Sequence, residues 1–229
     1  MQLILHVFIA VSLLSLAAAA RSLLLFVFDA SSSLRISVLN TTDSLANASD
    51  CLPVSSPSPR CNFRSAWAAC QEQEAVDSSA TCTIALPGNG RISMNTGIYG
   101  SLELNSSRII TVEGNNATVT PALGSSSRLF YFFGDTSSAP TTYSALSLYN
   151  MTLRGFGGSS TDGGTVFIHG NCTVSLANVT IAHGVGRNGG SVYMTNNSLG
   201  LAVDGCLFES CTATNGGVRN GCRGLLYCY

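Results

Sequence analysis

The sequence predicts an all-β chain built as a solenoid of stacked coils, and three observations carry that expectation. The chain repeats itself from Leu146 onward, its polarity rests on turn and strand formers instead of charge, and its middle falls into short apolar runs broken by Gly, Asn and Pro.

The repeat is the strongest of the three. LSLYNMTLRGFGGSSTDGGTVFIHGN is followed by VSLANVTIAHGVGRNGGSVYMTNN and then by LAVDGCLFESCTATNGGV. The Gly pairs at 163–164, 189–190 and 216–217 lie 26 and 27 residues apart, and Asn150 and Asn178 lie 28 apart. A strand-bearing period in the twenties marks a solenoid, because each turn covers the hydrophobic edge of the one before. In that register Leu148, Leu176 and Val203 form one inward column and Val166, Val192 and Val218 another, with Glu113 aligned to Tyr149, Ala177 and Asp204. The Gly pairs fall where a coil turns sharply, a place that favours a residue free to take positive φ. Neither they nor Gly155, Gly157, Gly158, Gly184 and Gly186 form a phosphate-cradling loop, since the strand–loop–helix setting and the Lys are missing.

Composition agrees. Only 10% of the 229 residues are charged and the net charge is −1, which removes the electrostatic case for nucleic acid or an anionic membrane surface. The runs TCTIALPGNGRI, SLELNSS, RIITVEGNNATVTP and RLFYFFG have the β-branched and aromatic content of strands. Ahead of them, CNFRSAWAACQEQEAV places Phe63, Ala66, Trp67 and Cys70 at helical spacing.

Residues 1–20, MQLILHVFIAVSLLSLAAAA, are an apolar run whose Ala18 and Ala20 fit a signal-peptidase site, so a cleaved signal peptide is expected. An uncleaved signal anchor is the alternative, and it is the one route by which the chain would touch a membrane. Residues 21–60 are Ser-rich and read as a linker, residues 61–218 as the solenoid, and residues 219–229 as an irregular tail where the repeat dissolves into VRNGCRGLLYCY. That dissolution raises the expectation that the chain is a fragment of a larger surface protein.

Eight sequons, at Asn40, Asn47, Asn105, Asn116, Asn150, Asn171, Asn178 and Asn196, exceed the number that composition alone supplies and point to a glycosylating secretory pathway. The alternative reading makes several of these Asn residues turn or ladder positions. Nine cysteines in such a chain imply disulfides. Cys51, Cys61, Cys70 and Cys82 would staple the N-terminal end, while Cys206 with Cys211 and Cys222 with Cys228 could close small loops; Cys172 has no near neighbour in sequence. No CxxC pair suggests zinc, and no motif suggests a cofactor.

At two places the chain resembles a known family. CNFRSAWAACQ followed by TCTIALPGNGRI is similar to the capping helix and first strand of the right-handed parallel β-helix, or pectin-lyase-like, superfamily. The GG[TS]V[FY] repeats resemble those of the polymorphic outer membrane protein repeat family, although Asn178-Val179-Thr180-Ile181 and Phe208-Glu209-Ser210-Cys211 replace that family's Phe-x-x-Asn. The resemblance implies a short right-handed parallel β-helix with an N-terminal capping helix. It also implies two kinds of role. One is a secreted or cell-surface, non-catalytic element of adhesion, wall or matrix, whose partners are polysaccharide or surface components. The other is a polysaccharide lyase or glycoside hydrolase, for which Asp162, His183, Arg187 and Asp204 are the candidate residues. Glu113 and Asp204 sit three coils apart in this register, about 14 Å, too far for a pair of catalytic carboxylates.

Overall fold

A computed structural model describes residues 33–52, 58–72, 81–105, 108–133, 144–195, 198 and 200–215. The expected signal peptide and tail, Val218, Asn196, Cys222 and Cys228 lie outside the described residues.

Strands account for most of what is described, and every strand pairing is parallel. One sheet runs in the order β1 (Leu34–Ser37), β2 (Thr81–Ala85), β5 (Ile109–Pro121), β7 (Ser144–Arg154), β9 (Cys172–Ala182) and β12 (Gly200–Asp204). Strands β3 (Arg91–Met94) and β13 (Leu207–Glu209) continue it beside β5 and β9. A second sheet stacks β4 (Leu102–Asn105), β6 (Phe130–Phe133), β8 (Val166–His169) and β11 (Val192–Met194) in sequence order, and β10 (Val185–Asn188) pairs with β14 (Thr212–Asn215). The chain thus alternates between sheets, and each return lands one strand further along. The expected register is present: Glu113 pairs with Tyr149, Tyr149 with Ala177, and Ala177 with Asp204. Leu148, Leu176 and Val203 share a column, as do Val166 and Val192.

The shared pattern of LSLYNMT (146–152) and VSLANVT (174–180) has a backbone cause. In β7, Leu146 and Leu148 point inward, then Met151 and Leu153 do, so the two-residue alternation slips by one at Asn150. Asn150 takes φ 50° and Asn178, in the same place on β9, takes φ 53°. Asn tolerates this left-handed conformation better than other residues with a Cβ, and the bend it makes divides each long strand into two arms. The Gly pairs split their work: Gly163 and Gly189 take φ 63° and 61°. Their followers allow close approach, since a Cβ on Gly164 would fall on the Gly190 carbonyl oxygen and one on Gly190 on that of Thr212.

The helix expected from CNFRSAWAACQ is α1, Phe63–Glu72. Asn62 caps it, its Oδ1 accepting from the Ser65 amide at 2.8 Å. Its buried face sets Phe63 and Trp67 against Phe130, with ring centroids 6.4 and 5.6 Å away. The Cys70–Cys82 disulfide ties α1 to β2 and the Cys51–Cys61 disulfide closes the turn just ahead of the helix; the two bridges fit an oxidising environment.

Two expectations are corrected. Part of the stretch read as a linker is structured, because Ile36 and Val38 are buried and β1 pairs with β2 from Leu34–Cys82 to Ser37–Ala85. The surrounding Ser residues concealed this short alternation. Cys206 and Cys211 form no loop-closing disulfide, because β13 runs extended between them. Cys206 Sγ donates to the Asp204 carbonyl at 3.2 Å, and buried Cys211 donates to the Ile181 and Glu209 carbonyls at 3.4 Å each.

Candidate functional site

The second sheet has two unlike faces. Its inward columns are Leu102, Phe130, Val166 and Val192, and Leu104, Phe132, Ile168 and Met194. Period-two alternation turns the residues between them outward, and most of these are aromatic. In register they run Glu103, Tyr131, Phe167, Tyr193, with Phe133 and His169 in the adjoining column.

Parallel stacking brings these rings together. Tyr131 and Phe167 lie 5.2 Å apart between centroids, Phe167 and Tyr193 5.7 Å, and Phe133 and His169 4.9 Å. Thr195 Oγ1 and His169 Nδ1 are 3.0 Å apart and complete the rung on that side. Phe133 remains 48% exposed, which is unusual enough for a large aromatic side chain to mark the face.

A cleft of about 510 Å³ adjoins the rings, lined among others by Glu103, Arg128, Tyr131, Thr161, Asp162 and Phe167. Arg128 sets its guanidinium carbon 5.1 Å from the Tyr131 centroid and 4.9 Å from that of Phe167, a double cation–π contact. Burial pushes its pKa down, partly opposed by Tyr131 and Asp162. Among the described residues no hydrogen-bond acceptor meets this guanidinium, so its N–H donors are available to a ligand.

The carboxylate beside it is already engaged. Asp162 accepts from Arg187 Nε at 2.9 Å and Nη2 at 2.8 Å, and from Asn188 Nδ2 at 2.8 Å. Those Arg187 bonds hold its carboxyl below the usual carboxylate range, against the opposing push of partial burial. A carboxylate so held anchors the loop and cannot readily act as a general acid.

Of the four sequence-derived candidates, Asp162 and Arg187 therefore meet, as an ion pair. His183 sits in another turn at φ 56°, with its Nε2 3.0 Å from Arg154 Nη2. Asp204 is exposed at the end of β12. Of the sequons, Asn40 and Asn47 form local turns in which Oδ1 accepts from the hydroxyls of Thr42 and Ser49, 2.7 Å each. Asn171 is buried, Asn116, Asn150 and Asn178 are exposed, and the Asn105 side chain is outside what is described. Sequence reasoning passed over Arg128 and the aromatic columns. The signal was present in the repeat itself, since [ST]-V-[FY] places Phe167 and Tyr193 at one outward position, and FYFF places Tyr131 at the same one.

No protein-family model matches this chain, and no curated protein and no solved structure matches it.

Proposed function

We propose that this protein is a secreted or cell-surface right-handed parallel β-helix of the pectin-lyase-like kind, which binds polysaccharide on the aromatic face of its second sheet without cleaving it. The observation that carries the reading is the outward column Tyr131, Phe167, Tyr193, flanked by Phe133 and His169. Flat apolar rings at strand spacing suit a ligand that is itself a row of rings, stacking by dispersion and C–H contact. Arg128 adds a directional donor for a carboxylate or sulfate on such a chain. Right-handed coiling is supported by the strong chirality preference of crossovers between parallel strands. The two disulfides and the sequons support an extracellular setting.

The test is retention of the secreted protein in gels cast with neutral or acidic polysaccharides, with reducing ends and unsaturated products assayed in parallel. The wild type is expected to be retarded. Phe167→Ala is expected to weaken binding by about tenfold, corresponding to roughly 1.4 kcal/mol of lost stacking. Arg128→Gln is expected to weaken acidic polymers only. Product release that disappears in Asp162→Asn would replace this reading with a carbohydrate-active enzyme.

A further inference from the structure

Three sequons that are far apart in sequence converge on one corner of the fold. Asn150 and Asn178 are in register, enclosed by the pairs Tyr149–Ala177 and Met151–Val179. Asn116 belongs to the irregularity between Glu113 and Ala117 that faces Asn150 on the preceding strand. All take positive φ, at 63°, 50° and 53°, and all are exposed. None of these side chains has a hydrogen-bond partner among the described residues. In each sequon the middle residue (Ala117, Met151 or Val179) is buried, so the threonine turns outward beside its asparagine, and Thr118, Thr152 and Thr180 stack in register.

We propose that this corner is an N-glycosylation face on which a glycan on one coil excludes a glycan on the next. The proposal rests on the secretory part of the reading above and not on polysaccharide binding. In the step itself, asparagine Nδ2 attacks the anomeric carbon of a lipid-pyrophosphate-linked oligosaccharide. The N–C bond forms as the C–O bond to the pyrophosphate breaks, and the amide proton leaves with the pyrophosphate carrier. Adjacent coils are separated by one strand spacing, about 4.8 Å, too little for two branched glycans to leave side by side; coils two apart have about twice that. The Asn178 side chain also leans along the column. Gly205 takes the equivalent place on the following coil at φ 58°, and a Cβ there would lie 2.5 Å from Asn178 Oδ1. A sugar on Asn178 therefore overlies the following coil. Asn116 and Asn178 can be occupied together, and Asn150 only when both neighbours are bare.

The experiment is site-resolved and intact mass spectrometry of the full chain secreted from eukaryotic cells, compared with Thr152→Val. That change removes the middle sequon, keeps Asn150 in its turn and puts a good strand former at an outward position. Expected is the absence of any secreted species with glycans on both Asn150 and a neighbour, and a rise in joint occupancy of Asn116 and Asn178 in Thr152→Val. Adjacent double occupancy, or unchanged occupancy in the variant, overturns the proposal. So does a bare corner on a protein glycosylated at Asn47. Secreted protein without glycans anywhere overturns both the proposal and the glycosylating-pathway reading, whereas failure to bind polysaccharide touches neither.

Discussion

The two ends of the described structure are held by different means. Around α1, the disulfides Cys51–Cys61 and Cys70–Cys82, the Phe63–Trp67–Phe130 aromatic cluster and a buried ion pair act together. In that pair Arg64 donates to both oxygens of Asp43 at 2.9 Å each and to the Tyr99 and Gly100 carbonyls, while the Asn95 amide donates to Asp43. At the far end no residue of β12 is fully buried, β13 buries Phe208 alone, and no disulfide joins Cys206 to Cys211. In a solenoid each coil is stabilised chiefly by its neighbours, so these local differences persist as a gradient of opening free energy along the chain. The helix end is therefore expected to be the anchor, the last part of the described structure to open, and the far coils the first.

The largest test of that gradient strikes the ion pair. Both side chains are nearly inaccessible, at 7% and 1%, and removing one leaves the other buried and unpaired. Asp43→Ala is expected to destabilise the protein by about 3–5 kcal/mol in urea unfolding, the range for breaking a buried pair. A double change, Asp43→Leu with Arg64→Met, is expected to recover much of that loss. If Asp43→Ala were no worse than a surface substitution, the helix end would not be the anchor.

Next in size is the bridge at Cys70 and Cys82. Its loop is short, with a sequence separation of 12 residues, and its replacement by Ser at both positions is expected to lose about 2–4 kcal/mol. The comparison is sharpened by hydrogen exchange. Amides of β2 and β5 are expected to lose protection in that variant, while those of β12 and β14 exchange early in both proteins.

How much of this was legible in the sequence differs between the two ends for a physical reason. The coils are legible because stacking forces equivalent positions to agree, so Glu113, Tyr149, Ala177 and Asp204 align from the sequence alone. The helix end contains no such repetition. Asp43 and Arg64 are brought together by tertiary folding, with no spacing rule to join them, and β1 hid among serines. The outer face was concealed differently. In FYFF the inward Phe130 and Phe132 alternate with the outward Tyr131 and Phe133, so the segment reads as uniformly apolar until the pleat is known. Asp162 and Arg187 were candidates for carbohydrate chemistry in the sequence, yet their mutual engagement follows from turns on adjacent coils meeting in space.

The smallest effect tests whether that loop–loop contact supports the coils beside the aromatic face. Because Asp162 has its folded-state pKa lowered, first by the Arg187 hydrogen bonds, its stabilising contribution is present above the unfolded carboxyl value of about 3.9 and fades as pH falls through the lower folded value. Wild type and Asp162→Asn should therefore differ by a small, constant shift in Tm from neutral pH down to about pH 4, and converge below it. Solvent screening keeps the shift small, since the Arg187 side chain is 54% exposed, and added salt should reduce it further. A difference that grew on acidification would mean the Asp162 carboxyl is protonated more easily in the folded protein, and the loop would then be strained by this pair instead of held by it.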